Sequence, residues 1–422
     1  MPKKTSLIHA AGAAALAAVA SCSTAGTTTA VITQEWSAGC AKGAEGLCSF
    51  RSPSDPGPGG ILFAASGEVL ALTGYPFPPV NPGDPAFVDG WAVQFTRLLV
   101  TVDKLTLSSN PDTSPGDQSQ TGPLLAQVLG PWAIDLAHSD ASYLPGKGGP
   151  GEEAVPIASL PPSSAFATDG TRYAFGFDVI AATTQTADGR QTMNVNLDAP
   201  GLADYQEMVQ DHCTVLYVGT ATFHGDPTLT GCVDAAHANW PMTVNFRLCF
   251  QSPTSYINCQ NPDNDPAMAF PDEEHQRGIA FKSNQSVIGQ ITIHTDHPFW
   301  DSVLHDSPAH FDQFAARVVG QDGGATPTVT LDMTKGVDYT AYTDALGNPI
   351  NWRYCIAPPT DVHAQFSGPM AFDPESVPYC VNNDPATGLC DYFDYTTYNQ
   401  STQGHLNSDG LCFVKRNYPS PP

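Results

Sequence analysis

The chain has 422 residues, with 42 acidic side chains against 17 lysines and arginines, for a net charge of -25. That balance excludes the basic footprint of a nucleic-acid binder and electrostatic docking onto anionic lipid. It is compatible with cation binding, and an acidic, hydroxyl-rich surface keeps an exported protein soluble.

The N-terminus gives the most specific local signal. Lys3 and Lys4 precede an apolar, alanine-rich run from Leu7 to Ala20, too short to span a bilayer comfortably. The run ends in Val19-Ala20-Ser21-Cys22, which resembles the lipobox of bacterial lipoproteins. The resemblance covers the leader alone. It implies that residues 1–21 are a signal peptide and that Cys22 is acylated and anchors the protein to a membrane. Ser23 follows rather than Asp, which points to the outer membrane of the cell envelope. The alternative is an ordinary secretory signal cleaved near Ala20.

Of eleven cysteines, ten remain if Cys22 carries lipid, an even number suited to disulfides in an oxidising compartment. Spacing suggests Cys40 with Cys48, Cys213 with Cys232, Cys249 with Cys259, and Cys380 with Cys390. Cys355 with Cys412 would enclose the last of these.

Residues 22–58, rich in Ser, Thr, Gly and Pro, read as a lipid anchor and flexible tether. From Ile61 strands dominate. Ile61 to Leu72 is apolar with small residues. Trp91, Val93 and Phe95 alternate, then Leu98, Val100 and Val102 alternate in the opposite phase, which predicts a bulge near Arg97. Trp132–Leu136, Tyr173–Val179 and Met193–Leu197 follow, separated by long polar loops at 108–122 and 139–169. Leu202, Tyr205, Met208 and Val209 predict a helix over 202–210. Cys213–Phe223, Met242–Phe250, Gly278–Phe281, Ser286–His294 and Thr328–Leu331 read as further strands. From residue 346 the chain becomes loop-rich, with four cysteines. The expected fold is mainly β. It is an antiparallel β-sandwich over 59–345, with short helices at 202–210 and 298–318, followed by a disulfide-stapled tail over 346–422.

The segment Ile291–Arg317 holds four of the twelve histidines and four aspartates. A strand arrives at His294, and Pro298 suits the first position of a helix. On such a helix His297, Asp301 and His305 stand one above another on a single face. Imidazole and carboxylate suit zinc or copper. The candidate ligands are therefore His294, Asp296, His297, Asp301 and His305, with His310 in reserve. Asp296 or Asp301 could instead accept from an imidazole N–H. Calcium fits Asn261-Pro-Asp263-Asn264-Asp265 less well, because Pro266 stands where the calcium loop needs glycine.

Two further resemblances bear on this segment. His294-Thr-Asp296-His297 resembles the second half of the H-x-H-x-D-H motif of metallo-β-lactamase-like hydrolases, but Thr292 occupies the first histidine position. The strand Gly170-Thr-Arg-Tyr-Ala-Phe-Gly-Phe-Asp178 and the run Thr228-Leu-Thr-Gly-Cys232 are similar in outline to methanobactin-associated periplasmic copper-binding proteins, over roughly residues 90–250. That outline implies copper and assigns no residue. Neither a G-x-S-x-G elbow nor an H-E-x-x-H is present. The leading expectation is a ligand-binding envelope lipoprotein with a metal centre. The others are a surface or adhesion module for carbohydrate or protein, and a metal-dependent hydrolase.

Overall fold

The structure, a computed structural model, describes residues 30–40, 46–225, 232, 237–264, 269–303, 307–321, 324–356, 368–372, 379–384 and 387–419. Cys22 and the leader lie outside the described residues, as does His305.

Among the described residues thirteen strands form a larger sheet. They are β1 (Ile32–Glu35), β2 (Cys48–Ser49), β4 (Trp91–Ser108), β5 (Leu124–Leu129), β6 (Trp132–Asp135), β9 (Asp169–Val179) and β10 (Met193–Asn194), then β11 (Val215–Phe223), β12 (Thr243–Phe250), β13 (Thr254–Ile257), β14 (Ile279–Lys282), β16 (Thr328–Thr330) and β19 (Phe413–Arg416). A smaller sheet has β3 (Ile61–Ser66), β7 (Leu144–Pro145), β8 (Glu153–Leu160), β15 (Val287–Ile293), β17 (Gly404–Leu406) and β18 (Gly410–Leu411). Its order is β18-β17-β15-β3-β8-β7. Most neighbours are antiparallel, but β15 runs parallel to β3, so the sheets are mixed. Ile61, Phe63, Ile291 and Ile293 of the smaller sheet share one apolar core with Phe175, Phe177 and Tyr256 of the larger. The rings of Phe63 and Phe175 stack across it at 6.0 Å.

The alternation of β4 works as its sequence predicts. Opposite β11 the register shifts, so that Val218 faces Arg97 but Gly219 faces Phe95, leaving Thr96 bulged. Apolar residues on both sides of the bulge then reach the core. Gly219 is required there, since a Cβ would stand 2.2 Å from the Gln94 carbonyl oxygen. The expected helix at 202–210 is α2 (Ala199–Asp211), started by Asp198, which accepts from the Gly201 N–H at 2.8 Å.

Several expectations are corrected. The apolar run from Ile61 breaks at Gly67 and continues as α1 (Glu68–Thr73). The loop expected at 139–169 contains β8, which pairs with β3. Pro156 disguised it; the proline sits where the register shifts, a position that tolerates a missing N–H. Strands cross both expected boundaries of the body: β1 pairs with β5, β17 with β15, and β19 with β13.

All ten candidate cysteines are paired. Cys40–Cys48 and Cys380–Cys390 form as expected. The other three bonds are Cys213–Cys249, Cys232–Cys355 and Cys259–Cys412, not the pairs 213–232, 249–259 and 355–412. Strand pairing decides the first and third of these bonds. Cys249 lies on β12, beside β11, whose entry carries Cys213, and β19 brings Cys412 to the end of β13.

The expected helix 298–318 is also corrected. A single 3-10 turn spans His297–Phe299, and Trp300 leaves it in an extended conformation. The chain then doubles back, with Asp301 N–H donating to the Pro308 carbonyl at 3.1 Å and His310 N–H to Phe299 at 3.0 Å. Pro308 cannot donate and holds Ser307 out of helical conformation. Helix resumes at α3 (Asp312–Ala315) and the 3-10 turn Ala316–Val318. His297 and Asp301 therefore share no helical face. The tail's aromatic run forms α4 (Tyr392–Gln400), with Tyr392 and Tyr395 buried.

Candidate metal centre

Alternation along β15 sends Ile291 and Ile293 into the core and leaves Gln290, Thr292 and His294 on the opposite face. That face is polar yet sealed. Glu152 accepts from Gln290 Nε2 at 2.6 Å, and Gln290 Nε2 also reaches the Thr292 hydroxyl at 3.0 Å. Ser66 on β3 stands level with Thr292, so the chain leaving β3 delivers Glu68 to the same end of the sheet as His294. On the other side His405 pairs with Thr292 across β17.

The turn after β17 holds the site together. Asn407 exchanges two hydrogen bonds with Gln290. The Ser408 N–H donates to the Thr292 hydroxyl at 2.9 Å, and its own hydroxyl reaches Glu68 Oε1 at 3.2 Å. Glu68, Asn407 and Ser408 all adopt positive φ (62°, 53° and 79°), which is strained for non-glycine residues. Such strain concentrates where surrounding structure enforces a functional geometry.

His294 is mostly buried. Its Nε2 lies 3.2 Å from the Ser408 carbonyl oxygen and 3.6 Å from Glu68 Oε1. A carbonyl only accepts, so Nε2 carries hydrogen and the neutral ring offers its lone pair at Nδ1. Burial opposes the imidazolium, but Glu68 and Asp296 outweigh it and hold the His294 pKa above its ordinary value. Burial pushes Glu68 up, against the pull of His294.

His297 has the opposite tautomer. Its Nδ1 is 2.7 Å from the Thr402 hydroxyl, whose hydrogen is committed to the Asn399 carbonyl at 2.7 Å. His297 Nδ1 must therefore donate, which places its lone pair on Nε2. Trp300 stacks on the ring at 3.7 Å and fixes its plane.

Ligand atoms of His294, Asp296 and His297 lie within 4.8 Å of one another, and so do those of Glu68, His294 and Asp409. Zinc bonds of about 2 Å bring ligand atoms under about 4 Å apart, so either group would have to close further around an ion. The hydrogen bonding bears on the second group: Glu68 stands 3.6 Å from the protonated Nε2 of His294, and that nitrogen offers it no lone pair for a shared ion. Glu68 and the Ser408 carbonyl then act as acceptors that orient this ring, a common arrangement behind a metal-bound histidine.

Of the expected ligands, the structure thus brings His294, Asp296 and His297 together. Asp301 and His310 are elsewhere, paired at 3.2 Å within a separate buried network. Thr292, at the first position of the partial hydrolase motif, bonds Gln290 and Ser408. In the candidate calcium loop Asp263 pairs with Lys147 at 2.7 Å, and Asn264 bonds two backbone carbonyls. Sequence reasoning missed Glu68, which follows a strand expected to continue. It also left unassigned His405, whose ring is 4.1 Å from that of His294. The signal was Gly404: a Cβ there would stand 2.5 Å from the Tyr256 ring, so the chain must pass close to the core.

The separate network anchors the segment that follows the site. Asp89 accepts from the backbone N–H groups of Phe311 and Asp312, both at 2.7 Å, and lies 4.0 Å from His310 Nδ1. Burial, then the neighbouring Asp312 charge, pushes the Asp89 carboxyl from 3.8 up to about 7. A raised carboxyl stabilises the fold fully below its unfolded value and loses that contribution as pH rises through its folded value. Asp89 is therefore expected to make stability fall as pH rises from about 4 to about 7. Asp89→Asn keeps the acceptor and removes the titration. Urea melts across this range should show a flatter profile for the variant, and parallel profiles would count against the assignment.

No family model, curated protein or solved structure matches the chain.

Proposed function

We propose that this protein is a lipid-anchored, metal-binding protein of the cell envelope, with the metal held by His294, Asp296 and His297. The observation that carries the reading is the convergence of these three side chains after β15, with the lone pairs of both imidazoles fixed by the Ser408 carbonyl and the Thr402 hydroxyl. Two imidazoles and one carboxylate suit zinc, copper or iron better than calcium or magnesium, which prefer oxygen throughout. Five disulfides support an oxidising compartment, and the lipobox-like leader supports anchoring through Cys22.

Elemental analysis of protein purified without a polyhistidine tag tests the reading. About one zinc or copper ion per chain is expected, lost in His294→Ala. Affinity should also weaken on acidification, because the metal competes with a proton that Glu68 and Asp296 favour. Trace metal at equal levels in both proteins would overturn the proposal.

A further inference from the structure

A cavity of about 420 Å³ lies directly beside the candidate centre. His297 and His405 form part of its wall, so the edge of the His294 cluster faces this space. Beyond them the wall is mixed: Trp300, Val303, Leu411 and Val414 give it an apolar side, and Gln118, Gln260 and Thr402 are polar. Its charged members are Asp272, Glu273 and Arg277, and Glu273 binds Arg277 at 2.6 Å, which leaves a net negative charge. Such a wall disfavours anions and rewards an apolar body.

His405 belongs to neither group of converging ligand atoms among the described residues. Three protein ligands leave a fourth tetrahedral position for an exogenous group, the pattern of open rather than structural metal sites.

Resting on the metal reading above, we infer that the metal's open position faces this cavity, and that the site takes an uncharged nitrogen base carrying an apolar group, of the substituted-azole class. The nitrogen lone pair forms the fourth bond to the metal, and the apolar group lies against Val303, Leu411 and Val414. No bond within the ligand breaks, and a bound water leaves.

Cobalt(II) loaded into the full chain provides a visible band that responds to coordination. Titration with imidazole and with 4-phenylimidazole should shift the band saturably. The phenyl compound should bind at least about tenfold more tightly, because its ring leaves water for the apolar wall. Leu411→Ser should shrink that preference while the cobalt stoichiometry stays unchanged, and Val414→Ser serves equally if the first variant folds poorly. A full complement of cobalt whose band neither probe moves overturns this inference and leaves the metal reading standing. Equal affinity for the two probes also overturns it. Failure to bind cobalt at all removes the metal reading, and this inference with it.

Discussion

Asp312→Ala is expected to destabilise the protein by about 3–5 kcal/mol, the cost typical of breaking a buried ion pair by removing one partner. Asp312 is fully buried and accepts from Trp91 Nε1 at 2.8 Å. Arg353 grips both its oxygens, through Nε at 2.7 Å and through Nη2. The guanidinium is itself buried, with its Cζ 4.0 Å from the Phe223 ring centre. Loss of the carboxylate strips this charge of its two-pronged partner in a place that water reaches poorly. Asp312→Asn keeps an acceptor for Trp91 but not the charge, so an intermediate loss is expected. Replacing Asp312 and Arg353 together by Leu and Met should cost less than Asp312→Ala alone, since no uncompensated charge remains. Urea denaturation of the three variants checks the order. A double variant worse than the single one would show that the pair acts through shape rather than charge.

The second large effect concerns Cys259–Cys412, whose partners are 153 residues apart in sequence. Chain-entropy reasoning assigns a link of that span about 5 kcal/mol, against about 3 kcal/mol for the ten-residue separation of Cys380–Cys390. Changing both cysteines of each bond to serine, one bond at a time, should therefore lower the melting temperature more for the long link. The long link also adjoins β19 and the cavity, so its loss should expose the tail to proteolysis earlier. Equal losses for the two bonds would mean that the unfolded chain already keeps the tail near β13.

What could be read from the chain follows the reach of each physical signal. Alternation is local, so β4 and its bulge were visible in the phase change at Arg97, and β15 in Ile291 and Ile293. The same alternation pointed to His294, because a histidine at the polar end of an otherwise core-facing strand is exposed to few fates. Helical spacing from His297 to His305 was misleading, because one proline eleven residues on from His297, Pro308, turns the segment back before a second turn forms. Disulfides between sequence neighbours held only where no strand pairing intervened. Cys213 and Cys259 follow the sheets instead, and sheet partners are set by the whole fold. Glu68 and His405 reach His294 only through pairing with β15, and nothing within a short window of sequence reports such a meeting.

The order in which the chain is made sets a timetable for the site. His294, Asp296 and His297 emerge well before Thr402 and Ser408, yet those later residues decide which ring nitrogen each histidine presents. A chain still being made would carry these side chains with undirected rings. On the metal reading proposed above, acquisition would be an event of the finished, oxidised molecule, with the last strands as a checkpoint for loading.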